Sequence, residues 1–285
     1  MQTPHCFQIH PRKFFLYGVL AAALLMVALP ARVLAGPPFL TDDPDPVDYQ
    51  HNEFYIFSIL DHTGDETSTS GPAFEYNRGV LPNVQFHIIL PLSEYSAPGV
   101  NNAGLGDMEI GIKYRFIQEG KYRPMVGIFP MIEAATGDAA RGLGNGRTWY
   151  HLPVWLQKSW GPWSSYGGGG INVNHADGMQ NSWFAGWQLQ RQLSSHWILG
   201  AEIWHQSADT VDGASHYTLL NVGGFYNFTD SFQLLFTAGG SIAGEAHTVA
   251  YLGLYWTWGK KEEGSSPTAN VAWSLAARPP SQTIL

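Results

Sequence analysis

Charge is what this sequence lacks most. Asp, Glu, Lys and Arg make up 13% of its 285 residues, about half the roughly 25% usual for soluble globular chains. The formal net charge of −8 leaves no basic face, which excludes a binder of nucleic acid or of anionic lipid. Cysteine is nearly absent, the one residue being Cys6. Past residue 36 there is no run of 18 apolar residues, so no transmembrane helix is expected there. Aromatic residues, in contrast, reach 14%, with 11 Trp, 13 Tyr and 15 Phe, and there are 32 Gly. The mean hydropathy is only −0.12, too polar for a bundle of membrane helices. Few charges, many rings, much glycine and middling hydropathy together describe a membrane β-barrel, where apolar and polar residues alternate along each strand.

The first 35 residues read as a leader. Arg12 and Lys13 precede an apolar run from Phe14 to Leu29, followed by Pro30 and the small-residue site Val33-Leu34-Ala35. That is the order of a secretory signal. Phe14–Ala31 is nearly long enough to stay as an anchor, but Pro30 and the Val-x-Ala ending favour cleavage. Removing Arg12, Lys13 and Arg32 lowers the 15 basic residues to 12 against 23 acidic ones, a net −11. Cys6 leaves too, and it sits ahead of the apolar run, where no lipoprotein cysteine is placed. The mature chain then has no thiol, hence no disulfide, Cys-ligated metal or Cys nucleophile. Such a chain suits an oxidising envelope.

Period-two alternation follows, segment after segment. Met108, Ile110, Ile112, Tyr114 and Phe116 share one face, with Glu109, Gly111, Lys113 and Arg115 on the other. Tyr150, Leu152, Val154 and Leu156 alternate with His151, Trp155 and Gln157, and Trp183, Ala185, Trp187 and Leu189 with Gly186, Gln188 and Gln190. Twelve strands are expected, at about 52–60, 71–78, 83–92, 104–117, 122–134, 147–159, 162–173, 181–193, 196–206, 215–228, 231–242 and 246–258. Most runs have the length a tilted strand needs to cross a bilayer. Long polar connections (61–70, 93–103, 135–146, 174–180, 207–214) alternate with tight turns (79–82, 118–121, 161, 194–195, 229–230). The fold class expected is therefore all-β, an up-and-down antiparallel transmembrane barrel of about twelve strands. Only the connection 243–245 is short where a long one is due. The domain plan is a signal peptide over 1–35, a Pro/Asp-rich segment over 36–51, the barrel over 52–258 and a polar tail over 259–285. The tail has no apolar period, so disorder is expected.

A soluble barrel of the lipocalin kind also alternates. It carries its charges outside, and 13% charge is too little to solvate that exterior. The apolar faces here end in Trp, Tyr or Phe, as an aromatic girdle at the membrane interface requires.

Gly36-Pro37-Pro38-Phe39-Leu40-Thr41-Asp42-Asp43-Pro44 and the following Glu53-Phe54-Tyr55-Ile56-Phe57 resemble the opening of the "MetA pathway of phenol degradation" family. Glu75-Tyr76-Asn77-Arg78-Gly79, the strand Gln85–Leu92, and Gly104-Leu105-Gly106-Asp107 with Lys113-Tyr114-Arg115-Phe116 resemble its later shared segments. The family has Asn-Tyr-Gly where this chain has Asn77-Arg78-Gly79, and Pro-Thr-Gly-Asp where it has Ala135-Thr136-Gly137-Asp138. The resemblance implies an outer-membrane barrel associated with export or uptake, and its name suggests small aromatic solutes. Tyr251-x-Gly253-x-x-Trp256-x-Trp258 is similar to the terminal-strand signal read by the bacterial barrel-assembly machinery.

Glu109, Lys113, Arg115, Glu133, His151, Gln188, Gln190 and Glu202 fall on the inward phase and are the candidate lumen-lining residues. Arg or Lys facing lipid at mid-depth would cost about 2–4 kcal/mol. These residues either orient a permeating solute or fill the barrel with internal ion pairs. Arg78, Lys158 and Arg191 are expected at strand ends, snorkelling to the interface. Asp61-His62, Asp65-Glu66 and His175 with Asp177 lack a fixed ligand spacing, so no metal is expected. No enzyme is expected either. In a strand Ser195 and His196 point to opposite faces, so a dyad cannot form there. The reading is a channel or transporter for small, hydrophobic or aromatic solutes in the outer membrane of a Gram-negative bacterium. A non-conducting structural or adhesive barrel with a plugged lumen is the alternative. The partners expected are outer-membrane lipids, the assembly machinery through Tyr251, Gly253, Trp256 and Trp258, and the solute. No cofactor is expected. N-terminal sequencing of the exported protein should begin at Gly36; a chain still starting at Met1 in the membrane fraction would make the leader an anchor.

Overall fold

The computed structural model describes residues 37–211 and 215–259. The expected signal peptide over 1–35 and the tail from residue 260 lie outside them. Fourteen strands follow in chain order, from β1 (His51–Thr63) through β2 (Glu66–Leu81), β3 (Val84–Ala97), β4 (Val100–Leu105), β5 (Met108–Ile117), β6 (Met125–Ile128), β7 (Met131–Ala134) and β8 (Trp149–Trp160). The rest are β9 (Trp163–Val173), β10 (Ser182–Gln192), β11 (Trp197–Gln206), β12 (Tyr217–Thr229), β13 (Phe232–Gly244) and β14 (His247–Gly259). β4 and β5 both pair with β3, and β6 and β7 both lie between β5 and β8. Each couple is one spanning strand broken once, which makes twelve antiparallel spanning strands. Pro130 breaks the second couple, because it has no N–H for the ladder; Gly106-Asp107 breaks the first. The sheet closes where β1 pairs with β14, from His51↔Gly259 to Thr63↔His247.

The faces follow the alternation. Leu152, Val154 and Leu156 are exposed on the outside of β8, and Trp155 and Gln157 are buried inside it. On β10, Trp183, Trp187 and Leu189 are exposed while Phe184, Gln188 and Gln190 are buried. At one end of the outer wall six rings form a continuous ladder across β1, β14, β13, β12 and β11. Phe54 meets Trp256 at 6.2 Å, Trp256 meets Phe232 at 5.0 Å, and Phe232 meets Phe228 at 4.9 Å. Phe228 then meets Tyr226 at 5.1 Å, and Tyr226 meets Trp197 at 4.8 Å. Arg78, Lys158 and Arg191 lie near this same end of their strands, Arg191 over the Trp163 ring at 5.1 Å.

Several connections differ from expectation. The stretches 61–70 and 93–103 are not loops: β1 and β2 meet at Gly64-Asp65, and β3 and β4 at Pro98-Gly99. Thr67–Ser70 looks like a loop because it is polar, yet threonine pairs well in a strand and the backbone ladder needs no apolar side chains once it leaves the bilayer. The turn expected at 118–121 runs on to Pro124, with Gly120 N bonded to Arg123 O at 2.9 Å. Ser195 Oγ lies 2.9 Å from His196 Nδ1, because both sit in the turn between β10 and β11, where strand parity does not apply. That corrects the parity argument, although both residues are exposed and no carboxylate lies within hydrogen-bonding distance of either among the described residues.

Closure on β14 makes this strand the test of where the barrel ends. Replacing Trp256 or Trp258 with Asp should block insertion, whereas stopping the chain after Gly259 should leave a heat-modifiable folded band on a gel. Loss of that band on truncation, with the Asp variants still folding, would mean that the wall includes residues beyond 259.

Candidate functional site

The interior is occupied by the chain's own N-terminal segment. Residues 37–50 turn inward at the end where β1 begins and lie around the inside of the wall as a strap. Gln50 N bonds Gly79 O on β2 at 2.9 Å, and Val47 N bonds Gln85 Oε1 on β3 at 2.8 Å. Asp45 pairs with Arg115 on β5, and Lys113 on the same strand reaches Asp42 at 3.1 Å and Asp43 at 3.5 Å. On the far side Glu202 of β11 accepts from Thr41 N, from Leu40 N at 3.2 Å and from Asn221 Nδ2 at 2.7 Å. Pro37 then comes to rest beside Phe225, Leu235 and Tyr255 of β12, β13 and β14. The strap thus touches the wall nearly all the way round.

The sequence prepares this seat. A Cβ at Gly186 would collide with the Thr41 hydroxyl, and one at Gly79 with the Asp48 carbonyl, so glycine at both places lets the strap approach. The strap's prolines, Pro37, Pro38, Pro44 and Pro46, lack N–H groups, which lowers the number of donors to be satisfied inside. Thr41 and Asp43 are almost wholly buried. Burial raises the Asp43 carboxyl well above its ordinary range, against the pull of Lys113. Glu202 accepts two backbone N–H groups of the strap, and hydrogen bonds to a charged group are worth about 1.5–3 kcal/mol each.

The eight candidate lining residues fall into three groups. Lys113 and Arg115 hold the strap, Arg115 also bonding Asn83 Oδ1 at 2.9 Å through Nη2. Glu109 and Glu133 face each other across β5 and β7; His87 Nε2 lies 2.6 Å from Glu109 Oε1, and its Nδ1 2.6 Å from Asn77 Oδ1. His151 lies beside this group, its Nδ1 2.7 Å from Asn172 Oδ1. On the opposite side Gln188 Nε2 donates to Gln190 Oε1 at 3.0 Å, Gln190 Nε2 to the Tyr166 hydroxyl at 2.9 Å, and Glu202 sits across from Gln188 in register. Glu53, Glu75, Gln85 and His87 also belong to the interior. Their signal was present, because each occupies the polar phase of an alternating strand.

Toward the hairpin tips the interior turns aromatic. His151 stacks on Phe184 at 4.3 Å, and Phe184 on Trp204 at 5.1 Å, with Trp155 alongside at 6.1 and 6.4 Å. Tyr217 and His247 meet at 4.1 Å nearer the rim, where His247 Nδ1 lies 2.9 Å from Asp61.

If Glu202 anchors the strap, a Thr41→Cys variant of a chain begun at Gly36, which has no other thiol, should resist maleimide labelling when folded. Adding Glu202→Ala should raise the labelling rate about tenfold or more, the effect of losing one or two charge-assisted hydrogen bonds. An unchanged rate would place the anchor elsewhere.

No protein-family model and no curated protein matches this chain. Its fold does have solved counterparts. It is similar to the COG4313 outer membrane channel from Pseudomonas putida F1, with a TM-score of 0.65 and 15% identity over 79% of this chain and 100% of that one. The translocator domain of the autotransporter NalP from Neisseria meningitidis is a more distant match, with a TM-score of 0.47 and 10% identity over 86% and 97% of the two chains. The KdgM porin gives 0.45 and 10% over 72% and 99%. The fold is that of an outer-membrane β-barrel.

Proposed function

We propose that this protein is a passive outer-membrane channel for small solutes and that the strap sets its conductance. The observation that carries the reading is how the strap is held. Ion pairs and hydrogen bonds fix it inside a wall whose own ladder is complete without it, so it can leave without opening the barrel. With an even number of spanning strands both chain ends return to one side, which we assign to the periplasm, with the hairpin tips outside. The outer ring ladder ending at Trp197 then lies at the periplasmic interface, where indole and phenol groups are stable. The resemblance to the phenol-degradation family suggests small aromatic solutes as the class carried.

Planar-bilayer recording of the mature protein and of a variant lacking residues 37–47 tests this. Both should conduct, the shortened chain severalfold more. If neither folded protein carries current, the barrel is a non-conducting structural element of the membrane instead.

A further inference from the structure

We propose that the path through this barrel favours cations, monovalent ions and amine-bearing solutes, over anions. The inference rests on the channel reading and adds the charge of the solute to it. The first ground is the balance of charge inside. Asp42, Asp43 and Asp45 of the strap lie against Lys113 and Arg115 of the wall. Among the described residues the wall then contributes Glu53, Glu75, Glu109, Glu133 and Glu202, with His87 lying 3.4 Å from Glu75 and 2.6 Å from Glu109.

The second ground is the mouth. A cavity of about 630 Å³ opens between the hairpin tips, bounded by Thr63, Asp65, Glu66, Pro98 and Glu245, with no basic residue among those lining it. A cleft of one sign of charge concentrates counter-ions by roughly 10- to 1000-fold.

The third ground concerns uncharged groups. Near the strap's start a small cavity is lined by Pro37, Glu53, Tyr55, Gln233 and Tyr255. The hydroxyls of Tyr55 and Tyr255 already donate to Glu53, at 3.1 and 2.9 Å. Gln233 is more than nine-tenths buried there, and its Oε1 has no donor. The unmet atom of this cavity is an acceptor. A donor, an ammonium group or a water, meets it, and a fully deprotonated anion does not.

The strap modulates this preference without reversing it. When it withdraws, Asp42 and Asp45 leave with it and bare Lys113 and Arg115, but the five glutamates stay. The experiment is the reversal potential of the full mature chain in a neutral-lipid bilayer under a KCl gradient. We expect K⁺ to be favoured over Cl⁻ by about tenfold, the lower end of such focusing. The double variant Glu53→Gln/Glu75→Gln, checked for folding by heat-modifiable migration, should lower that ratio. The strapless variant should lower it and keep its sign. A conducting, folded protein that reverses at zero or on the chloride side would overturn the inference, as would an unchanged ratio in the double variant. Absence of any current is a different result and overturns the channel reading itself.

Discussion

Hydrocarbon offers the backbone no hydrogen-bond partner, and each unpaired N–H or C=O there costs several kcal/mol. Every spanning residue must therefore find its partner on a neighbouring strand, and the last strand must return to the first. The pairing of β14 with β1 along their whole length meets that demand. Proline is admitted to this wall where the ladder can be interrupted, as at Pro130 between β6 and β7.

Closure creates a second constraint, an interior to be filled. Rings fill part of it, with Trp155, Tyr166 and Phe184 almost wholly buried. The strap occupies the half where β1 begins. A segment rich in Asp and Pro is suited to that place, since its carboxylates meet Lys113 and Arg115 and its prolines bring no N–H groups. The donors it does bring are accepted by Gln85 and Glu202. Charges that would be costly in a lipid-facing wall thus become the fastenings of a separable part.

Under the proposed function, separability of the strap from the wall is what links this architecture to transport. The wall is held by continuous backbone ladders, the strap by ion pairs and scattered hydrogen bonds, so the two differ in the free energy needed to move them. A barrel with such an insert can change its conductance without changing its fold.

The wall was legible in the sequence because a lipid-facing strand has one periodicity and one permitted chemistry per face. Met108–Phe116, Tyr150–Leu156 and Trp183–Leu189 show their outward sides by alternation alone. The count of twelve spanning strands follows from that pattern and the turns between them. Polarity misled where strands rise clear of the bilayer, as at Thr67–Ser70, since there pairing depends on the partner strand and no longer on apolar side chains. The seat of residues 37–50 was not legible. Nothing in the order Thr41-Asp42-Asp43-Pro44 says that Glu202, more than 150 residues away, accepts its backbone N–H groups. Only closure of the barrel brings β5 and β11 to face one another across the lumen. Local periodicity determined the wall, and the tertiary structure decided what lies inside it, because contacts across the lumen have no counterpart in sequence spacing.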